Sequence, residues 1–311
     1  MSTPSIVKQK AQYEKICEFK TEGFLFFPRE DVLGVFHVIS STGELFQFNE
    51  STSEQIMTLN GHANGLCFDS NGFVYVTDLA TNSICFKQVT QQDPNPIIEN
   101  ILAREFDGKN FKGPTSLTYN KEENVLYFAD SGIFEDASLS PFDCSIYSID
   151  LETRVLKKIL GNLSFVTDIC YDNNNNTLYI AEIFMNRIIR LKLNDNGVFV
   201  GTVFYQFSGR IGPSAITIDE NGNLFCARYE YSNSDIDMEI ESDGLISVIN
   251  KKGEMIGELN VPKLPEISGI YISPKKREDL LLTVRNSTAV FKIKISAFTG
   301  DLDKYEASMK I

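Results

Sequence analysis

Along the chain, short runs of β-branched and aromatic residues alternate with turns rich in Asn, Gly, Asp and Glu, and the alternation itself repeats. The segment Asn64–Asp78 (NGLCFDSNGFVYVTD) recurs as Thr115–Asp130 (TSLTYNKEENVLYFAD) and as Thr167–Glu182 (TDICYDNNNNTLYIAE). A fourth copy is Ser214–Ala227 (SAITIDENGNLFCA), and a weaker fifth joins Ser268–Pro274 (SGIYISP) to Leu280–Val284 (LLLTV). Leu66, Leu117, Ile169, Ile216 and Ile270 hold the same place in each copy, at steps of 51, 52, 47 and 54 residues. Every copy reads as a hairpin: an apolar strand ending at Asp or Asn, a turn of residues that accept positive φ, and a second apolar strand. Third strands follow at Ser83–Lys87, Cys144–Asp150, Arg187–Leu193, Gly244–Asn250 and Ala289–Ile295, and more polar fourth strands at Val155–Ile159 and Gly253–Leu259.

Four antiparallel strands repeated about every 50 residues predict a β-propeller. The segment from Gly23 to Asn49 has the outline of a first blade, with Pro28–Asp31 as its turn and Val32–Ile39 as its second strand. The expected fold is therefore all-β: a single six-bladed propeller over residues 1–311, with blades starting near 23, 64, 115, 167, 214 and 268. The last blade has only three strands of its own. Tyr13–Lys20 is expected to supply the fourth and close the ring, which removes an open sheet edge; residues 1–12 are expected to be flexible.

Composition narrows the partners. The 311 residues carry 29 basic and 42 acidic side chains, a formal charge of −13. Such a chain is a poor partner for nucleic acid, whose nonspecific affinity comes from cationic side chains. No run of apolar residues is long enough to span a bilayer, so no membrane insertion is expected. The N-terminus has no signal-like apolar stretch, and the six cysteines are dispersed without metal-binding spacing, so the expected compartment is the reducing cytoplasm. Two histidines leave little room for His-based catalysis. His37 reads as a strand residue satisfied by a neighbour, and His62, just before a tunnel-facing position, is the better candidate for acid–base chemistry. Asp78, Asp130 and Glu182, at a repeated strand end, read as acceptors for neighbouring backbone N–H groups. Two insertions stand out: Ser131–Asp143, and the acidic 228–243, which is either a solvated loop or a lid or docking surface over the tunnel.

The phrases Asn64–Asp78, Leu126–Gly132 (LYFADSG) and Leu178–Ile188 (LYIAEIFMNRI) resemble the regucalcin/gluconolactonase family of six-bladed propellers, with strictosidine synthase-like proteins as a related branch. The resemblance runs from about Glu22 to Ile295. It implies a divalent cation, usually calcium, in the central tunnel, held by a Glu of Glu-Gly-Pro, two Asn and an Asp at the starts of innermost strands. Carried over residue by residue, it places Glu22 at the Glu position, also as a candidate acid–base group, and Asn64 on the next blade. Thr115 and Thr167 stand at the two Asn positions and Ser214 at the Asp position, with Asp168 able to replace one carboxylate by swinging inward. Neutral hydroxyls add no charge, so a cation held by this set is expected to be weakly bound. Two readings follow: a non-catalytic scaffold that holds a small molecule in the tunnel or docks a protein, or a divalent-metal-dependent hydrolase of lactones or related esters. Carbon–carbon condensation, as in the strictosidine synthase branch, is a third.

Overall fold

A computed structural model describes residues 8–90, 95–133, 142–194, 196–209, 211–230, 243–274 and 278–295. Every element among them is a β-strand; most form six blades of four antiparallel strands each, and Glu105–Phe106 pairs with Lys109–Asn110 in a small separate hairpin. Blade 1 runs Leu25–Glu30, Phe36–Ser40, Glu44–Phe48 and Ser53–Leu59. Blade 2 comprises Ala63–Phe68, Phe73–Asp78, Ser83–Gln88 and Asn100–Ala103. Blade 3 follows with Pro114–Asn120, Val125–Asp130, Cys144–Asp150 and Leu156–Leu163. Blade 4 is built from Val166–Asp172, Thr177–Glu182, Arg187–Leu193 and Phe199–Gln206. Blade 5 contains Ile211–Ile218, Leu224–Glu230, Gly244–Ile249 and Met255–Val261. Blade 6 takes Ile267–Ile272, Asp279–Val284 and Ala289–Lys294 from one end of the chain and Tyr13–Glu18 from the other.

The ring closure anticipated from Tyr13–Lys20 is thus present. Lys8–Lys10, expected within a flexible arm, instead lie parallel to Glu258–Asn260 on the outer edge of blade 5. Ile97–Ile98 cover the outer edge of blade 1 in the same way. These two short additions turn bare edges into paired ones.

The turns follow the chemistry read from the repeat. Asp69 Oδ1 accepts from Asn71 N at 2.8 Å and Phe73 N at 2.9 Å, while Gly72 takes a φ of +80°. Asp219 and Gly222 do the same in blade 5. Blade 1 corrects the sequence reading. Its turn is Asp31–Gly34, with Asp31 Oδ1 accepting from Leu33 N and Val35 N at 2.9 Å, so it too is an Asp-x-x-Gly hairpin. Val32 and Leu33, read from their hydrophobicity as strand, are exposed turn residues, and the second strand starts at Phe36.

Both faces of each blade are covered by its neighbours, which is why second strands such as Val125–Asp130 and Thr177–Glu182 are apolar and buried nearly end to end. Between blades 1 and 2 the packing is aliphatic, through Ile39, Leu45, Leu66, Val74 and Val76. Between blades 2 and 3 it is richer in aromatics, with Tyr75 and Ile84 of blade 2 in one buried cluster with Phe111, Phe128 and Tyr147. His37 belongs to this packing: it is buried beside Phe68, with Nδ1 3.0 Å from the Val35 carbonyl, and burial pushes its pKa down to about 4. The cysteines are free thiols, all buried except the half-buried Cys170. No helix among the described residues is long and apolar enough to cross a membrane.

Candidate functional site

One irregularity recurs in all six blades and builds the site. The register between first and second strands slips between Ala63 and Gly65, Pro114 and Ser116, Val166 and Asp168, Pro213 and Ala215, and Ile267 and Gly269. In blade 1 it slips between Phe26 and Arg29. Each slip is a β-bulge, which leaves one residue out of the ladder and re-aims its side chain. The residues released are Asn64, Thr115, Thr167, Ser214 and Ser268, with Phe27 (φ 42°) and Pro28 in blade 1. Phe27, Asn64, Thr115, Thr167, Ser214 and Ser268 all line one cavity of about 610 Å³. Its wall is mostly apolar, with Phe24, Phe26, Leu79, Ile133 and Phe165, and its polar side chains outside the ring are Ser41, Thr42, His62, Glu266 and Arg285.

The hydroxyls of this ring are already engaged. Thr115 Oγ1 donates to the Val166 carbonyl at 3.1 Å, and Thr167 Oγ1 to the Pro213 carbonyl at 2.9 Å. Ser214 Oγ donates to the Ile267 carbonyl and Ser268 Oγ to the Leu25 carbonyl, both at 2.9 Å. Each hydroxyl therefore stitches its blade to the strand start of the next, from blade 3 round to blade 1. Asn64 breaks the series, because its amide makes no hydrogen bond among the described residues. Thr167→Val keeps the shape but leaves the Pro213 carbonyl without its donor. It is expected to lower stability by about 1 kcal/mol in denaturant unfolding, and an unchanged midpoint would show that the stitch contributes nothing.

The strand-end acids face the loops rather than the cavity. Asp78 Oδ1 accepts from His62 N and Ala80 N at 2.9 Å, and Asp130 Oδ1 from Lys112 N and Gly113 N at 2.9 Å. Glu182 accepts from Ser164 N at 2.7 Å and pairs with Arg187 Nε at 2.5 Å. Each carboxylate fixes the loop that delivers its own blade's ring residue, as the repeat position predicted.

The model of the SMP-30/gluconolactonase/LRE-like region matches residues 120–286, more than half of the chain. The chain belongs to this family. Lactonase drp35 of Staphylococcus epidermidis is 26% identical over 250 residues, covering 78% of this chain and 68% of that protein. Lactonase drp35 of Staphylococcus aureus is 30% identical over 141 residues, 44% of this chain and 39% of that protein. Two solved structures share the fold at low identity. A gluconolactonase from Xanthomonas campestris gives a TM-score of 0.69 at 14% identity, covering 92% of this chain and 96% of that one. A regucalcin from Agrobacterium tumefaciens, described as a calcium-binding protein, gives 0.70 at 15%, covering 92% and 94%.

In this member of the SMP-30/gluconolactonase/LRE-like family, no ring position carries a carboxylate. Among the described residues no three His, Cys, Asp or Glu side chains gather to hold a metal ion. A divalent cation draws most of its binding energy from anionic oxygens. The set of one amide, one phenyl and four hydroxyls that donate to carbonyls does not fit a tightly held one. Of the residues singled out from sequence, Asn64, Thr115, Thr167, Ser214 and His62 do converge on the cavity. Glu22 does not: it lies exposed in the bend before Leu25 and is not part of the lining, because the blade 1 bulge falls at Phe27. Asp168 does not swing inward either, since its carboxylate accepts from Ser116 Oγ, Ile169 N and Ile216 N.

Sequence reasoning missed Phe27, Ser268, Glu266 and Arg285. The repeat held the signal for three of them. Ser268 follows from Ser214, Glu266 precedes Ser268 as His62 precedes Asn64, and Arg285 occupies the step taken by Leu79 in blade 2. The paired backbone bonds agree: Leu79 N donates to the His62 carbonyl as Arg285 N donates to that of Glu266. Of the two insertions, residues 134–141 and 231–242 lie outside the described residues.

Proposed function

We propose that this propeller holds a small organic molecule in the ring-floored cavity, without a resident divalent cation and without hydrolysing it. The observation that carries this is the ring itself: four of its six side chains are neutral hydroxyls spent on the next blade's carbonyls. His62, the candidate acid–base group, is exposed at the cavity and its imidazole makes no hydrogen bond among the described residues, so nothing there orients it as a base. A concave cavity with mostly apolar walls and a polar floor favours a small molecule over a docked protein.

The relatives named lactonase favour a second reading, divalent-metal-dependent hydrolysis of a lactone or related ester. Calorimetric titration with calcium, run beside hydrolysis assays on a panel of γ- and δ-lactones, separates the two. The binding reading expects calcium affinity weaker than about 0.1 mM and no turnover above background. Micromolar calcium binding with calcium-dependent turnover would establish the hydrolase instead.

A further inference from the structure

We infer that the cavity's ligand is a small monocarboxylate with an apolar, ring-sized body, anchored at the mouth by Arg285. This rests on the reading of the cavity as a ligand site and names what that site selects. Arg285 is exposed and lines the cavity, with its guanidinium carbon 5.4 Å from the centroid of the Phe24 ring. Among the described residues that guanidinium makes no ion pair and no hydrogen bond; only its backbone N–H is tied, to the Glu266 carbonyl at 2.8 Å. Other arginines near the blade tops are spent: Arg187 on Glu182, and Arg228 on Glu258 and Ser247. A guanidinium held over an aromatic face keeps its fork of donors directed outward and matches a carboxylate through two parallel hydrogen bonds.

The rest of the lining sets the body and the charge of the ligand. Asn64 and His62 offer further donors that the protein does not use. The ring hydroxyls, having given their protons to carbonyls, present acceptor lone pairs to polar groups deeper down. Phe24, Phe26, Phe27 and Phe165 supply flat apolar wall, which stacks on a ring or an alkyl chain. Glu266, also in the lining, balances the single cation. A monoanion exchanges water for one ion pair with Arg285, whereas the second charge of a dianion such as a phosphate monoester finds no further cation in the lining and is repelled by Glu266.

The test is calorimetry with 3-phenylpropionate, its neutral isostere 3-phenylpropionamide, and phenyl phosphate. The wild-type chain is expected to bind the carboxylate at least tenfold more tightly than the amide. Arg285→Met is expected to abolish that preference, and Arg285→Lys to retain part of it, with both variants keeping the wild-type melting temperature because the side chain is exposed. Equal affinity for amide and carboxylate, an unchanged preference in Arg285→Met, or tighter binding of phenyl phosphate would each overturn the inference about the head group while leaving the cavity a ligand site. If none of the three probes and no lactone binds, the ligand-site reading itself falls.

Discussion

A chain beginning at residue 21 is expected not to fold cooperatively. The missing segment supplies the outer strand of blade 6, in register from Tyr13 opposite Ile293 to Glu18 opposite Ala289. It also pairs Lys8–Lys10 with blade 5, and the two are linked by backbone bonds from Ala11 N to the Asn260 carbonyl and from Phe19 N to the Thr288 carbonyl. Phe19 is buried between the rings of Phe46 and Phe48, in a cluster that joins blade 1 to Val290 and Leu281 of blade 6. Truncating that one side chain, as in Phe19→Ala, costs about 3–5 kcal/mol. Losing it together with a whole edge strand exceeds most of the 5–15 kcal/mol by which ordinary domains are stable. Circular dichroism melts of the truncated chain, alone and with a peptide of residues 8–20 added, measure this. The expected result is no sharp transition alone and a partial return with the peptide. A sharp melt of the truncated chain within a few degrees of the full one would mean that the ring does not need its closure.

The strand framework and the closure were legible because burial on both faces forces each blade into the same apolar phrases, and because Asp and Gly at the hairpin turns are dictated by local backbone geometry. The exception in blade 1 has a local cause. Val32 and Leu33 are apolar yet exposed, and hydrophobicity alone cannot tell such a turn from a strand. The bulges were not legible. A one-residue register slip leaves no mark in the hydrophobic pattern, yet it decides which side chain enters the cavity. In blades 2 to 5 the residues named by the motif comparison line the cavity because the bulge sits at the same step of the repeat. In blade 1 the bulge falls later, so Glu22, named from the motif, stands outside the cavity and Phe27 stands within it.

That shift bears on how the family's activity is read in this chain. The motif comparison had already replaced three expected ligands with hydroxyls, and blade 1 removes the remaining carboxylate from the ring. What the hydroxyls do instead is structural: each gives a proton to the next blade, so the ring that could cradle a cation here joins neighbouring blades. The charged groups left to the cavity, Glu266 and Arg285, both come from blade 6.

The second large effect is expected at Asp168, whose carboxylate is fully buried. One oxygen accepts from Ser116 Oγ at 2.7 Å and Ile169 N at 2.9 Å, the other from Ile216 N at 2.8 Å, so a single side chain ties blades 3, 4 and 5 directly behind the ring residues. Burial pushes its pKa up to about 6, against the opposing pull of Arg29 and of these donors. Asp168→Ala strands three buried donors and removes a negative charge that attracts Arg29, a loss of about 3–5 kcal/mol. Asp168→Asn keeps the shape but turns an N–H toward at least one donor, at a cost of about 1–3 kcal/mol. The pH dependence follows from the raised pKa. The folded chain binds this proton more tightly than the unfolded one, so the stability it contributes is present near pH 4 and is lost as the pH rises through about 6. The Asn variant cannot titrate, so its deficit relative to wild type should be larger at pH 5 than at pH 8, by about 1 kcal/mol. Denaturant unfolding at the two pH values, with and without chelator, tests both this role and the alternative of a metal ligand. A strut gives a pH-dependent gap that chelator does not move. A gap that is equal at both pH values, or that appears only when calcium is present, would reject it.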